Sequence, residues 1–185
     1  MGMSAQDKML QVASRLGLTS LKDMQGTTRM VYDSQGTAAL THTFFKGAAQ
    51  RAFPLSNVGA NGNQFQVNEA LLVEKIGFFI PSAADGIAYA GLAAGFSVKF
   101  DFVIGNKTVM KDVTVELGGE QAFYNDGTVA SAVIDLEGVG ILIPPQVEYY
   151  VIAKACDAAA RTANSVRLGC YLFGTGALLN FNTTI

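Results

Sequence analysis

FSVKFDFVIGNKTVMKDVTVEL, residues 96–117, sets two alternating apolar runs on either side of Gly105-Asn106. A glycine-first dipeptide between β-rich runs predicts a two-residue hairpin with a type II′ turn. That turn specifies a register: Phe102 opposite Val109, Val98 opposite Val113 and Phe96 opposite Val115 on one face, with Lys99 opposite Asp112 and Ser97 opposite Thr114 on the other. A slip of one residue would exchange the faces, so the pattern tests itself. Only Lys111, opposite Phe100, interrupts the apolar row, and its stem is expected to lie along the ring with the amine at the sheet margin. One dry face and one wet face is the pattern of an antiparallel sheet.

Upstream, FPLSNVGANGNQFQVNEALLVEKIGFFIP, residues 53–81, passes from a turn-rich loop into a long β-type run. Phe65, Val67, Leu71 and Val73 share one parity, whereas Ile76, Phe78 and Ile80 share the other. A regular strand would expose one of the two sets. The spacing therefore predicts a bulge or bend near Glu74, Lys75 or Gly77, of the kind that bends strands at sandwich corners. Before it lie a short β-type core at Arg29–Tyr32 and the strand-like ALTHTFF. After the hairpin come VGILIP, VEYYVIA across Pro144-Pro145-Gln146, SVRLGCYLFGT and ALLNFNTTI. AKACDAAARTA between these has helix propensity and reads as either a short helix or a loop. Roughly eight strands with Gly, Pro and Asn turns predict a mainly β fold, an antiparallel β-sandwich of jelly-roll type.

The chain opens on SAQDKMLQVASRLG, an amphipathic helix capped by Ser4, with Asp7 closing a capping box and Gly17 as the left-handed stop. Ala5, Met9, Val12, Ala13 and Leu16 fall on one face. That face has to be buried, either on its own domain or as an arm on another subunit. With 185 residues the chain suits one compact domain, divided loosely near Gly26 into a helix and arm (1–26) and a sandwich (27–185).

Half of the residues are hydrophobic and only 15% are charged, against roughly 25% in ordinary soluble domains. So few charges leave much of the surface to amides, glycine backbone and apolar groups, which favours contact with neighbours. A net charge of −2 supplies no basic field to gather phosphates, so no direct nucleic-acid partner is expected. No membrane partner is expected either, since the uncharged stretch 86–98 is too short to span a bilayer and no export signal precedes it. The Met-Gly start has Gln6 where a myristoylation pattern wants Ser or Thr.

Reactive side chains are sparse. His42, the single histidine, has no carboxylate or nucleophile near it in sequence and reads as structural or superficial. With one histidine and two separated cysteines, no metal or cofactor site is expected. Cys156 and Cys170 read as buried thiols. A symmetric hairpin would set them opposite Val166 and Ile152 and keep the sulfurs apart. Asp33, Asp85, Asp101 and Asp112 are dispersed and read as surface carboxylates. The pairs in GVGIL (138–142) and GTGAL (174–178) lack the third glycine and the following helix of a nucleotide loop, so they read as bulges or tight turns. No catalytic residue is assigned. Phe44-Phe45, Phe78-Phe79 and Tyr149-Tyr150 are adjacent aromatics, one of each pair facing away from its sheet's core side. The outward rings, with the helix stripe, provide the candidate interface residues Met9, Val12, Leu16, Phe44, Phe79 and Tyr150.

FFKGAAQRAFPLSNVGANGNQFQVNEALLVEKIGFFI, residues 44–80, resembles small structural proteins of tailed-bacteriophage virions, and jelly-roll components of viral shells more broadly. The resemblance implies a β-sandwich with an N-terminal arm, present in many copies in the virion after assembly in the host cytoplasm. It further implies no cofactor and, as partners, copies of itself and shell or connector components. A ligand-binding sandwich for carbohydrate or a host receptor is the alternative, with an aromatic platform but no tryptophan. An enzyme would require a site formed between subunits from dispersed Asp, Glu, Tyr and His42.

Overall fold

A computed structural model describes residues 4–18, 21–22, 24–46, 55–58, 63–79, 96–117, 131–136, 138–157, 162–163 and 166–179. Its elements are α1 (Ala5–Arg15), β1 (Met24–Ala39), β2 (His42–Phe44), β3 (Glu69–Phe79), β4 (Phe96–Ile104), β5 (Lys107–Leu117), β6 (Ser131–Asp135), β7 (Ile141–Ile143), β8 (Tyr149–Asp157), β9 (Thr162–Ala163) and β10 (Val166–Leu179). The first sheet runs β1-β10-β3-β6, with β7 also on β3, and the second runs β2-β8-β4-β5, with β9 also on β8. Every pairing is antiparallel. The chain passes from one sheet to the other at β1–β2, β2–β3, β3–β4, β5–β6, β7–β8 and β9–β10, so strands distant in sequence (β1 with β10, β2 with β8) become neighbours. That interleaving makes the sandwich a jelly roll.

The β4–β5 hairpin turns where its sequence requires, with Ile104 opposite Lys107 and Gly105 at φ +60. Beyond the turn the register departs from the symmetric one. Two irregularities each add a residue to β5, so Phe102 faces Met110, Phe100 faces Val113 and Val98 faces Val115. Two insertions restore the face parity, and they remove the one mismatch of the symmetric register by taking Lys111 off Phe100 and leaving it exposed. Asp112, at φ +54, makes the second bulge, and its N–H donates to Asp101 Oδ1 at 2.6 Å. Lys99 still reaches Asp112 at 2.6 Å, although its direct partner is now Thr114.

β3 changes phase as its sequence demands. Phe173 pairs with Lys75 and Gly174 with Val73, which leaves Glu74 as the extra residue. Leu71 and Val73 before the bulge, and Ile76 and Phe78 after it, all enter the main core. There Phe78 lies 4.9 Å from Phe100 and 6.4 Å from Phe44 of the second sheet, joining the layers. Ala70 and Leu72 face the opposite way, under α1.

Several readings are corrected by the pairing. SVRLGCYLFGT and ALLNFNTTI contribute to one strand, β10, because small residues at 174–177 let it continue past the bulge. β6 has no counterpart among the strands read from sequence. β8 and β10 lie in different sheets, so Cys156 is opposite Ser97 and Ala163, while Cys170 is opposite Asp33 and Phe78. The stretch around Gly26 lies inside β1, since pairing with β10 already begins at Met24 opposite Leu179. AKACDAAARTA is strand through Asp157; its residues 158–161 lie outside the described residues, as does Asp85.

Candidate assembly surface

Helix α1 begins with the capping box Ser4–Asp7 and is followed by Gly17 at φ +73. Its apolar face lies on the outer side of the first sheet of the same protomer. Val12 is fully buried with Ala70, Leu72 and Ala177, and Met9 and Leu16 pack half-buried around them. Gly26 admits Met9, since a Cβ there would stand 2.8 Å from the sulfur. Polar groups complete the dock. Lys8 pairs with Glu74 at 2.6 Å, Gln11 donates to the Val139 carbonyl at 3.0 Å, and Arg15 donates to the Gly140 and Val139 carbonyls at 2.8 and 2.7 Å. The bulge is thereby used twice, because Glu74 also accepts from Thr175 Oγ1 at 2.6 Å.

Beyond the helix the same outer face is aromatic. Tyr171 lies on Gly77 and Phe79 lies on Gly169, each where a Cβ would overlap the ring, and the two rings stack at 6.5 Å and 28°. Tyr171 is paired with Tyr32 and Phe173 with Met30 on β1, so these side chains share the face, and Met30 is 48% exposed.

Placement within the protomer decides what the six candidate residues can offer. Val12, Phe44 and Phe79 are buried inside this chain and present no surface to a neighbour. The alternation argument fails at Phe44-Phe45 because β2 ends at Phe44 and Phe45 turns to φ +69, which brings both rings into the core. Met9 and Leu16 are half-buried under the helix; Tyr150 is half-buried, with Lys46 Nζ 5.0 Å from its ring centre. Among the described residues the exposed large apolar side chains are others: Leu10, Leu18, Met30, Leu40, Val67, Val109 and Val139. Of these, Val109 is extruded by the first β5 bulge and Met30 takes its direction from β1 parity. A strand alternation that included Met30 would have signalled the latter; the former has no sequence signal.

The interior polar groups serve the fold. His42 is buried, stacked on Phe44 at 5.7 Å and 9°, with Nδ1 3.1 Å from Gln35 Oε1. Gln35 Nε2 in turn donates to the Thr43 carbonyl at 2.9 Å, so the pair ties β1 of one sheet to β2 of the other. Asp33, read from sequence as superficial, is fully buried, because the Phe45 N–H donates to its Oδ2 at 2.6 Å and so holds the left-handed corner. Burial pushes the Cys170 thiol and the Tyr149 phenol above their ordinary ranges, with the nearby Asp33 charge adding to both. Tyr149 packs between Phe45 and Phe65, 5.3 and 5.2 Å away, and its hydroxyl has no hydrogen-bond partner among the described residues. At the surface, the Lys99 ammonium holds the Asp112 carboxyl below the usual carboxylate range, and the ammonium is raised in turn. Among the described residues no three His, Cys, Asp or Glu side chains gather as a metal site.

The class these observations define is a jelly-roll β-sandwich with its N-terminal helix folded onto one outer face. No protein-family model and no curated protein matches the chain. Among solved structures, the chain is similar to a chain in the three-dimensional structure of Cocksfoot mottle virus, with 10% identity and a TM-score of 0.41, over 85% of this chain and 96% of that one.

Proposed function

We propose that the protein is a non-enzymatic structural component of a virion, present in many copies and acting by packing against itself and against other shell or connector components. The observation that carries this reading is the surface of the jelly roll. The interior is closed by aromatic and aliphatic side chains from both sheets, yet large apolar residues remain exposed on a chain with 15% charge. Jelly rolls serve viral capsids, lectins and cupins, and a charge-poor, partly apolar exterior fits subunit packing best of these. The resemblance of residues 44–80 to bacteriophage virion proteins supports a phage particle assembled in the host cytoplasm. α1, docked on its own protomer through Val12 and Lys8, is part of the building block in this reading, with Met9, Leu16 and Tyr150 at its margins.

Electron microscopy and light scattering of the purified chain, over a range of concentration and salt, test the proposal. Rings, trimers or shells are expected. A monodisperse monomer that binds no virion component but retains a glycan would overturn it in favour of a carbohydrate-binding sandwich.

A further inference from the structure

Each sheet has two end strands, and two of these four, β1 of the first sheet and β5 of the second, are treated differently. β5 carries two bulges, a left-handed Asp112 and the exposed Lys107 and Lys111, features that discourage another strand from pairing. β1 pairs with β10 along one side, and its other edge is covered only in part by residues 55–58. Ser34 N–H donates to the Leu55 carbonyl at 2.8 Å, and Asn57 N–H to the Tyr32 carbonyl at 3.3 Å. The Asn57 carboxamide then acts like one more peptide group, accepting from Tyr32 N–H at 2.7 Å and donating to the Met30 carbonyl at 2.9 Å. At the other end Met24 N–H donates to the Leu21 carbonyl at 3.1 Å.

All of these outward groups belong to even-numbered residues, so between Met24 and Met30 the outward groups left over are those of Gly26 and Thr28 together with the Met24 carbonyl and the Met30 N–H. Gly26 and Thr28 are both exposed, and among the described residues the one contact to their outward groups is a long one from Thr27 Oγ1, which donates to the Thr28 carbonyl at 3.4 Å. The stretch has no bulge, no proline and, apart from Arg29, no charge.

We propose that residues 24–30 of β1 form a self-pairing edge, which joins the first sheet of one copy to that of a second copy, antiparallel about a two-fold axis at Thr27. This rests on the assembly reading and names one of its contacts. In that register Gly26 faces Thr28 of the other copy in both halves of the ladder, and each such pair exchanges both of its hydrogen bonds. Gln25 faces Arg29, and Thr27 faces Thr27, a pairing that sheets favour. The two groups already in use fall opposite each other as well: the occupied Met24 N–H meets the occupied Met30 carbonyl. The register therefore draws on groups that no neighbouring strand or loop engages, the Thr28 carbonyl keeping a second lone pair beside its long contact with the Thr27 hydroxyl. This is the reason for naming a second copy as the occupant. It also sets Met24 of one copy beside the exposed Met30 of the other on the outer face. So short a ladder is a weak contact alone and suits a shell in which several contacts act together.

The test uses the full chain. Thr27→Cys puts a cysteine on the axis at a non-hydrogen-bonded pair, where Cα atoms lie about 4.5 Å apart, within disulfide reach. Mild oxidation is expected to give a covalent dimer on a non-reducing gel, absent from the parent chain. Gln25→Cys is expected to cross-link with Arg29→Cys in a mixture, and not with itself. Thr28→Pro removes an outward N–H, a place where edge strands tolerate proline; combined with Thr27→Cys it should leave the circular dichroism melt unchanged and lower dimer yield by at least about tenfold. Absence of the Thr27→Cys dimer under conditions where the parent forms particles overturns the edge and leaves the assembly reading in place. Undiminished cross-linking with Thr28→Pro overturns it too. A parent chain that stays monomeric under all conditions removes both.

Discussion

Gly174→Ala is the substitution that most directly probes how β3 changes face. Gly174 lies against the Glu74 bulge, where an added Cβ would overlap the Leu72 carbonyl oxygen and stand 2.9 Å from Glu74 N. Both obstacles are backbone, so no side-chain rotation relieves the overlap, and β10 has to move away from β3 where Leu71, Val73 and Ile76 enter the core. Overpacking a filled site costs typically about 1–3 kcal/mol, and a backbone obstacle puts this case near the top, about 3 kcal/mol. At about 2–4 °C per kcal/mol for a domain of this size, the melting temperature should fall by about 6–12 °C. Gly138→Ala is the control: Gly138 has φ +86 with nothing within 4 Å of its added Cβ, so only the left-handed backbone is penalised, by about 1–2 kcal/mol. Urea titrations of both variants, followed by circular dichroism, compare them directly. Equal destabilisation, or a Gly174→Ala loss below about 1 kcal/mol, would refute the close approach at the bulge. Deletion of Glu74 takes out the extra residue and leaves Leu71, Val73, Ile76 and Phe78 on one face of a regular strand, so the chain is expected to fold, losing only the contacts of Glu74 with Lys8 and Thr175.

Tyr149→Phe removes a buried hydroxyl that has no partner among the described residues, so denaturation should show unchanged or higher stability, by up to about 1–2 kcal/mol. The phenol's folded pKa is raised, so the unfolded chain alone ionises first and stability falls as pH rises past about 10; Tyr149→Phe should reduce that fall in a pH series of urea midpoints. Val12→Asp places a carboxylate among Ala70, Leu72 and Ala177, and hydrogen exchange should show amides of 5–15 losing protection while β3 and β10 keep theirs. Asp112→Gly should retain stability, while Asp112→Val should lose about 1 kcal/mol or more in thermal melts, since only the former suits φ +54 without strain.

Local patterning in the sequence was enough to determine α1 with its capping box, the turn at Gly105-Asn106 and the need for a bulge beside Glu74. Each depends on neighbours a few residues apart, where helical and strand periodicities act. The alternation of 96–117 and the glycine and proline turns also carried the sandwich class. Which strands become partners was decided in three dimensions. Cys170 meets Asp33 and Phe78, not a residue of β8, because the chain crosses between sheets and brings β10 between β1 and β3. The paired insertions in β5 likewise follow from filling the core opposite Phe100 and Phe102, which no count from the turn reveals. Phe44, Phe79 and Val12 show the same division: their apolar character was legible, but whether such a group is buried in its own protomer or left for a neighbour depends on which surfaces the folded chain covers. Asp33 is the polar counterpart, since a carboxylate looks superficial until the tertiary fold presents it with the Phe45 N–H.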